Sequence, residues 1–247
     1  MFPSWAVDLN TNLKTKLRPL AEYPYDHQAS GRGSVCATIF SEDLLSLYTE
    51  GFILDIVDNS QVQGHREVFK RDHVLRDMTQ DLSAVVSDLK KSGGIQNSFK
   101  SQGATPSECL RQGIEGTLYQ TITAGYLWNL KTSGYDKKAI EYPSSLTYGL
   151  TPRPLHADDL LDQARSWTFA RTLILTHERM LGLAPSSTRH GDNVCIIFGL
   201  DLPAILRPRG DGSWTFVGPA YIPGLMEGQA LAGLEEGIYT KIMFEMR

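Results

Sequence analysis

Asp55 lies inside the apolar run FILDIV, flanked by Leu54 and Ile56. A carboxylate placed there is half buried, so it either finds a cation or titrates upward and becomes an acid or base. Arg165 and Arg171 are the cations expected to meet it. His65 follows QVQG in a loop, where an imidazole can move protons near neutral pH, although a plain surface role is the ordinary one. Asp192 follows Gly191 at a strand entry, and its carboxylate is expected to take backbone N–H groups of the turn. Arg207 ends the run AILR before Pro208; inside a β-module it is expected to fork onto a carboxylate or hold an anion. Tyr221, near Trp214 and Phe216, either lines a pocket or packs. If the chain is a catalyst, its candidate catalytic residues are Asp55, His65, Asp192, Arg171 and Tyr221. A carboxylate or the histidine would move the proton, and arginine or tyrosine would hold developing negative charge. Arg207, Trp214 and Trp5 are the candidate ligand-binding residues.

Familiar catalytic spacings are missing. The sequence has no Gly-x-Ser-x-Gly elbow, no Walker sequence and no dinucleotide fingerprint. THERM supplies His177 and Glu178 without a second histidine at zincin spacing. His73 and Asp77 stand four apart, a lone pair that fits a solvated helix face better than a metal site. The acids of HADDLLDQ sit where a helix start favours negative charge. No metal and no cofactor are therefore expected. A net charge of −4 provides no basic footprint for nucleic acid. No apolar run approaches the length of a membrane span, and the N-terminus does not read as a secretory signal. Cys36, Cys109 and Cys195 have no disulfide-like spacing, and three buried, reduced thiols fit a cytoplasmic protein.

The elements that must position these residues form three segments. Residues 1–34, with Pro3, Pro19 and Pro24, read as an extended arm. Residues 35–169 read as a short β-meander followed by a helical layer. In the meander, Gly51 separates two of three short strands, and the rival reading makes SEDLLSLYTEG a helix. The helices are about three in number. The first carries Val74 to Leu89 and stops at Gly93-Gly94. Another starts at the capping box of Thr105, Pro106 and Glu108 and runs to about Leu130. A third spans roughly Ala157 to Phe169. From residue 170 to 247 the period changes: TLILT, NVCIIF, AILR, SWTFV and IYTKIMF are short β-type runs parted by Gly, Pro and Asp. The fold class expected is α+β, with a small antiparallel barrel or rolled sheet at the C-terminus, all packed as one unit. Glycines 191, 199, 210, 212, 218 and 224 serve as turn positions in this reading, since a phosphate cradle wants glycines clustered before a helix.

The stretch RTLILTHERMLGLAPSSTRHGDNVCIIFGLDLPAILRP, followed by FVGPAYIPGLMEGQAL, resembles the region downstream of the HET domain in fungal heterokaryon-incompatibility proteins. Arg171, Thr176, Gly182, Pro185, Gly191, Asp192, Val194, Gly199, Pro203, Arg207, Gly218, Tyr221 and Gly224 hold the places of that pattern. Trp5, Asp8 and Gly31 resemble the linker after the HET domain, and Gly51 and Asp55 a further short motif. Arg179 stands where the family often has glycine, and Pro219 where it often has an acid. The resemblance implies a receiver or scaffold half, expected here without the HET domain that the family links to cell death.

Two functions follow as expectations. One is a cytosolic recognition module that binds a protein partner or small-molecule ligand. The other is a cofactor-independent enzyme of fungal specialised metabolism, a cyclase, isomerase or hydrolase. A closed apolar cavity holding Asp55 or His65 beside Arg or Tyr favours the second; a flat apolar patch favours the first.

Overall fold

The computed structural model describes residues 28–31, 38–58, 84–95, 113–125, 127–129, 134–136, 164 and 167–247. The elements are β1 (Ile39–Phe40), β2 (Leu47–Ile56), α1 (84–91), α2 (Gly113–Ile122), β3 (Leu127–Asn129) and β4 (Gly134–Asp136). They continue with β5 (Arg171–Leu175), β6 (Leu181–Pro185), β7 (Asn193–Ile197), β8 (Ala204–Pro208), β9 (Trp214–Pro219), α3 (Gln229–Glu235) and β10 (Ile242–Met246). The fold is α+β.

The main sheet runs β1-β2-β10-β9-β8-β7, and β2 also pairs with β7, so β2, β10, β9, β8 and β7 close into a ring. Strand alternation sorts the side chains of this barrel onto two faces. Cys195 and Ile197 of β7, Ala204 and Leu206 of β8, and Phe244 and Met246 of β10 fill the interior. Val194 and Ile196 of β7, Ile205 of β8, and Phe52 and Leu54 of β2 point outward into a second apolar cluster. Both faces of β7 are thus covered, which is why NVCII is an unbroken apolar run rather than an alternating one.

The outer cluster is covered by the β5–β6 hairpin, whose Ile174 and Ala184 face the barrel. Leu173, Leu175 and Leu181 of the same hairpin face the other way, onto Val85 and Leu89 of α1 and Leu118 and Ile122 of α2. Hairpin and barrel therefore lie in successive layers, with α1 and α2 outermost, while α3 joins the cluster between hairpin and barrel through Ala230.

Several expectations change in the structure. The barrel expected within residues 170–247 takes one stave, β2, from residues 47–56. One of its joints is parallel: β10 meets β9 at Met246 and Trp214. Gly51 does not divide two strands. It sits mid-strand where β2 pairs with β10 on one edge and β7 on the other, and a Cβ there would collide with the Ile196 carbonyl oxygen. The residues 42–45 form a turn, not a helix. Helix α2 ends at Ile122 rather than near Leu130, because Ala124 and Gly125 turn left-handed at φ 50° and 75° and β3 follows. Strand β6 and helix α3 were not expected. Part of the expected arm, residues 28–31, is tied down: the Gln28 and Ala29 N–H groups donate to Met226 O and Asp201 O. The capping box at Thr105 and the helix start near Val74 lie outside the described residues.

Candidate functional site

The polar groups singled out from the sequence converge at one end of the barrel, where β2 ends and β7 begins. Val57 N–H donates to Asp192 O and Gly191 N–H to Val57 O, so the chain entering β7 is stitched to the chain leaving β2. Gly191 makes this turn at φ 86°. The turn leaves the Asp192 side chain 1% exposed at the residue level, pointing back at β8.

Arg207, near the end of β8, meets it in a fork. Nε donates to Oδ1 at 2.8 Å and Nη2 to Oδ2 at 2.9 Å, and Oδ2 also accepts the Arg189 N–H at 2.7 Å. The expected backbone role of Asp192 and the expected fork of Arg207 are one arrangement. Arg207 Nη2 donates further to Ser187 O at 2.8 Å. The Asp192 hydrogen bonds push the Arg207 guanidinium further up its already high range.

Asp55 lies one strand over, paired with Val194, just past a register shift between Ile53 and Asp55. Of its two expected partners, Arg171 does not pair with it, and Arg165 lies outside the described residues. Oδ1 accepts the Ile56 N–H and Oδ2 the Glu178 N–H, both at 2.8 Å. Two amide donors satisfy a buried carboxylate, and among the described residues no cation pairs with it. The carboxylate thereby pins the β5–β6 turn to β2, and His177 N–H donates to Ile56 O beside it.

Arg171 is elsewhere. It opens β5, and Nη1 donates to Trp167 O at 2.5 Å. Burial pulls its guanidinium down to about 10. Tyr221 is 2% exposed and joins Leu183 through a reciprocal pair of 2.8 Å backbone bonds. Its ring packs with Trp167, Leu202 and Met226, and its hydroxyl covers Gly125. Trp214 packs against the barrel interior with its ring edge-on to Phe244 at 5.4 Å. The structure therefore brings Asp192, Arg207 and Asp55 to one barrel end and leaves Arg171 and Tyr221 apart; Trp214 pairs with Pro208 beside Arg207 but packs into the barrel interior. His65 and Trp5 lie outside the described residues.

Other residues gather at this end that were not among the candidate site residues. The His177 and His190 rings stand 6.4 Å apart, and His190 Nδ1 is 3.6 Å from Asp58 Oδ1. Arg179, at φ 64°, reaches α1: Nε donates to Gly94 O at 2.6 Å and Nη2 to Ser92 Oγ at 2.8 Å. The Arg179 contacts link residues 85 and 87 positions apart, and local spacing carries no trace of them. Among the described residues no three His, Cys, Asp or Glu side chains gather as metal ligands.

Residues 132–237 match the Het-6 beta-barrel domain. Over 58 residues the chain is 36% identical to "Heterokaryon incompatibility protein 6, OR allele" of Neurospora crassa. The chain carries a HET-related region. The alignment with the Neurospora protein covers 22% of this chain and 8% of that protein, so the chain spans less than a tenth of its relative. No solved structure matches. The HET-related region contains β5 to β9 and α3, including the Asp192–Arg207 fork, whereas β2 and β10, which close the ring, lie outside it. Among the described residues no helix is long and apolar enough to cross a membrane.

Proposed function

We propose that the chain is a recognition module of a HET-like fungal protein, acting in the cytosol by binding a protein partner. The supporting observation is an apolar tip on β1 and the turn that follows it. Ile39, Phe40, Leu44 and Leu45 are 57%, 51%, 61% and 53% exposed, on β1 and the turn that joins it to β2. Contiguous exposed apolar side chains mark interaction surfaces more often than scattered ones do. Leu44 adds a second argument, for it holds φ 57° in a turn where glycine or asparagine would be at ease. An exposed leucine kept in a strained conformation suggests selection for its side chain.

The polar end of the barrel fits the same reading. Asp192 is spent on Arg207 and Arg189 N–H, and Asp55 on two backbone amides. Those bonds serve the backbone of a rigid platform.

Proximity labelling in fungal cells tests the proposal, with the full chain compared against a L44D/L45D variant. Neighbours labelled by the wild type should be lost from the variant while its melting temperature is unchanged. An identical set of neighbours from both proteins would remove the proposal.

A further inference from the structure

The β5–β6 turn is held from two sides at once. On the barrel side, Thr176 bridges Val57, and Glu178 N–H donates to Asp55 Oδ2. On the helical side, Arg179 crosses to the C-terminal end of α1 and donates to Gly94 O and Ser92 Oγ. The turn itself closes by Arg179 N–H to Thr176 O at 2.9 Å and Met180 N–H to Thr176 Oγ1 at 3.1 Å. Closing it this way puts Arg179 at φ 64°, a left-handed conformation that a side chain with a Cβ adopts at a cost. Glycine would make the same turn without strain. What the arginine adds is its reach.

That reach ends on the turn just past α1, at Gly94 O and Ser92 Oγ. The last carbonyls of a helix lack intrahelical donors. Gly93 and Gly94 turn left-handed at φ 103° and 81°, and Gly94 N–H returns to Leu89 O. The Gly94 carbonyl is thereby presented outward, and the guanidinium takes it. Behind this contact, Val85 and Leu89 cover Leu173, Leu175 and Leu181 on the outer face of the hairpin. The opposite face of the hairpin packs on the barrel through Ile174 and Ala184.

We propose that the β5–β6 turn is a conformational latch, with Arg179 as its bolt. Closed, it holds α1 over the apolar outer face of the hairpin. Released, it lets α1 lift and bares the part of that face that Val85 and Leu89 cover, while Leu118 and Ile122 of α2 stay on the rest and the Asp55 tie and the closed ring keep hairpin and barrel together. This surface is distinct from the tip at Leu44, and the inference does not rest on the recognition role proposed for that tip.

Hydrogen–deuterium exchange on the full chain separates latch from strain. The variant R179G removes the guanidinium and the strain together; R179A removes the guanidinium and keeps the strain. In both, amides of residues 85–95 should exchange at least tenfold faster than in the wild type, with amides of β7 and β8 unchanged. The barrel amides serve as the check that each variant is folded. Wild-type exchange of residues 85–95 in R179G would overturn the latch. So would an equal acceleration in β7 and β8, since the turn would then hold the whole molecule and not one layer.

Discussion

Arg207 holds Asp192 by two parallel N–H···O bonds of 2.8 and 2.9 Å, joining the end of β8 to the residue that leads into β7. The carboxylate is enclosed, whereas the arginine side chain keeps 27% of its exposure. The pair is thus an anchor at the barrel rim, with its anion inside and its cation half in water. Removing one member strands the other in different ways. R207A leaves a buried carboxylate with one backbone donor, and D192N leaves a guanidinium that water can reach.

The first prediction follows from that asymmetry. R207A should cost about 2–3 kcal/mol, toward the low end for a broken buried pair because water shares the site. D192N should cost less, and R207K nearly as much as R207A, since an ammonium cannot span both oxygens. The double variant should be less destabilised than the sum of the singles. Urea unfolding curves read all four, and strict additivity would show that the two side chains act independently.

Gly51 provides a second prediction. Its missing Cβ lets β2 pass close to the Ile196 carbonyl while pairing on both edges. In G51A the methyl group must push β2 from β7, so ring closure fails and the cost exceeds about 3 kcal/mol. Gly210 is the control, as nothing lies within 4 Å of a Cβ built there. G210A should remain within about 0.5 kcal/mol of wild type in the same thermal melts.

Leu44 makes a third case, in which stability and function should part. It is 61% exposed at φ 57°, so L44G relieves strain and removes little packing. Stability should hold or rise by up to about 1 kcal/mol, the left-handed penalty less the extra chain entropy of glycine. Partner labelling should fall in the same protein. A clear drop in melting temperature would show that the leucine packs.

Much of this architecture was legible in local pattern. The runs at β5, β7, β8 and β9 are rich in branched and aromatic residues between turn formers, and they became strands. The Asp192–Arg207 fork was legible as two halves, because Gly-Asp reads as a turn and a strand-end arginine as a fork in search of a carboxylate. Strand β2 was misread because a glycine in a strand looks like an end until the neighbour that needs the space is known. LGLAP was missed as β6 since Gly182 and Pro185 both argue against a strand. Gly182 is required there because a Cβ would come 2.7 Å from the Ile222 side chain. Asp55 is a different case: a carboxylate among aliphatics suggested Arg165 or Arg171, and among the described residues the hairpin brings it the Glu178 amide. Tertiary contact decided each of these, and no window of sequence contains it.

Tyr239 leads to the last prediction, concerning alkaline pH. Its ring stacks on Phe52 at 5.4 Å. Burial foremost, then the negative charges of Asp55 and Glu178, raise its phenol above the ordinary value of 10.0. Below that value the phenol is neutral in folded and unfolded chains alike, and it contributes nothing to the pH dependence. Above it the unfolded chain loses the proton first, so the folded chain binds more protons and stability falls as pH rises. Arg171 acts with the opposite sign. Burial lowers it to about 10, well below its ordinary value, so between the two the unfolded chain keeps more of its protons and stability gains. Comparing Y239F with wild type cancels the arginine, which both proteins share. Urea midpoints of the two should keep a constant offset up to about pH 9 and diverge toward pH 11, with wild type falling faster. Parallel curves across that range would show that Tyr239 ionises as readily in the folded chain as in the unfolded one.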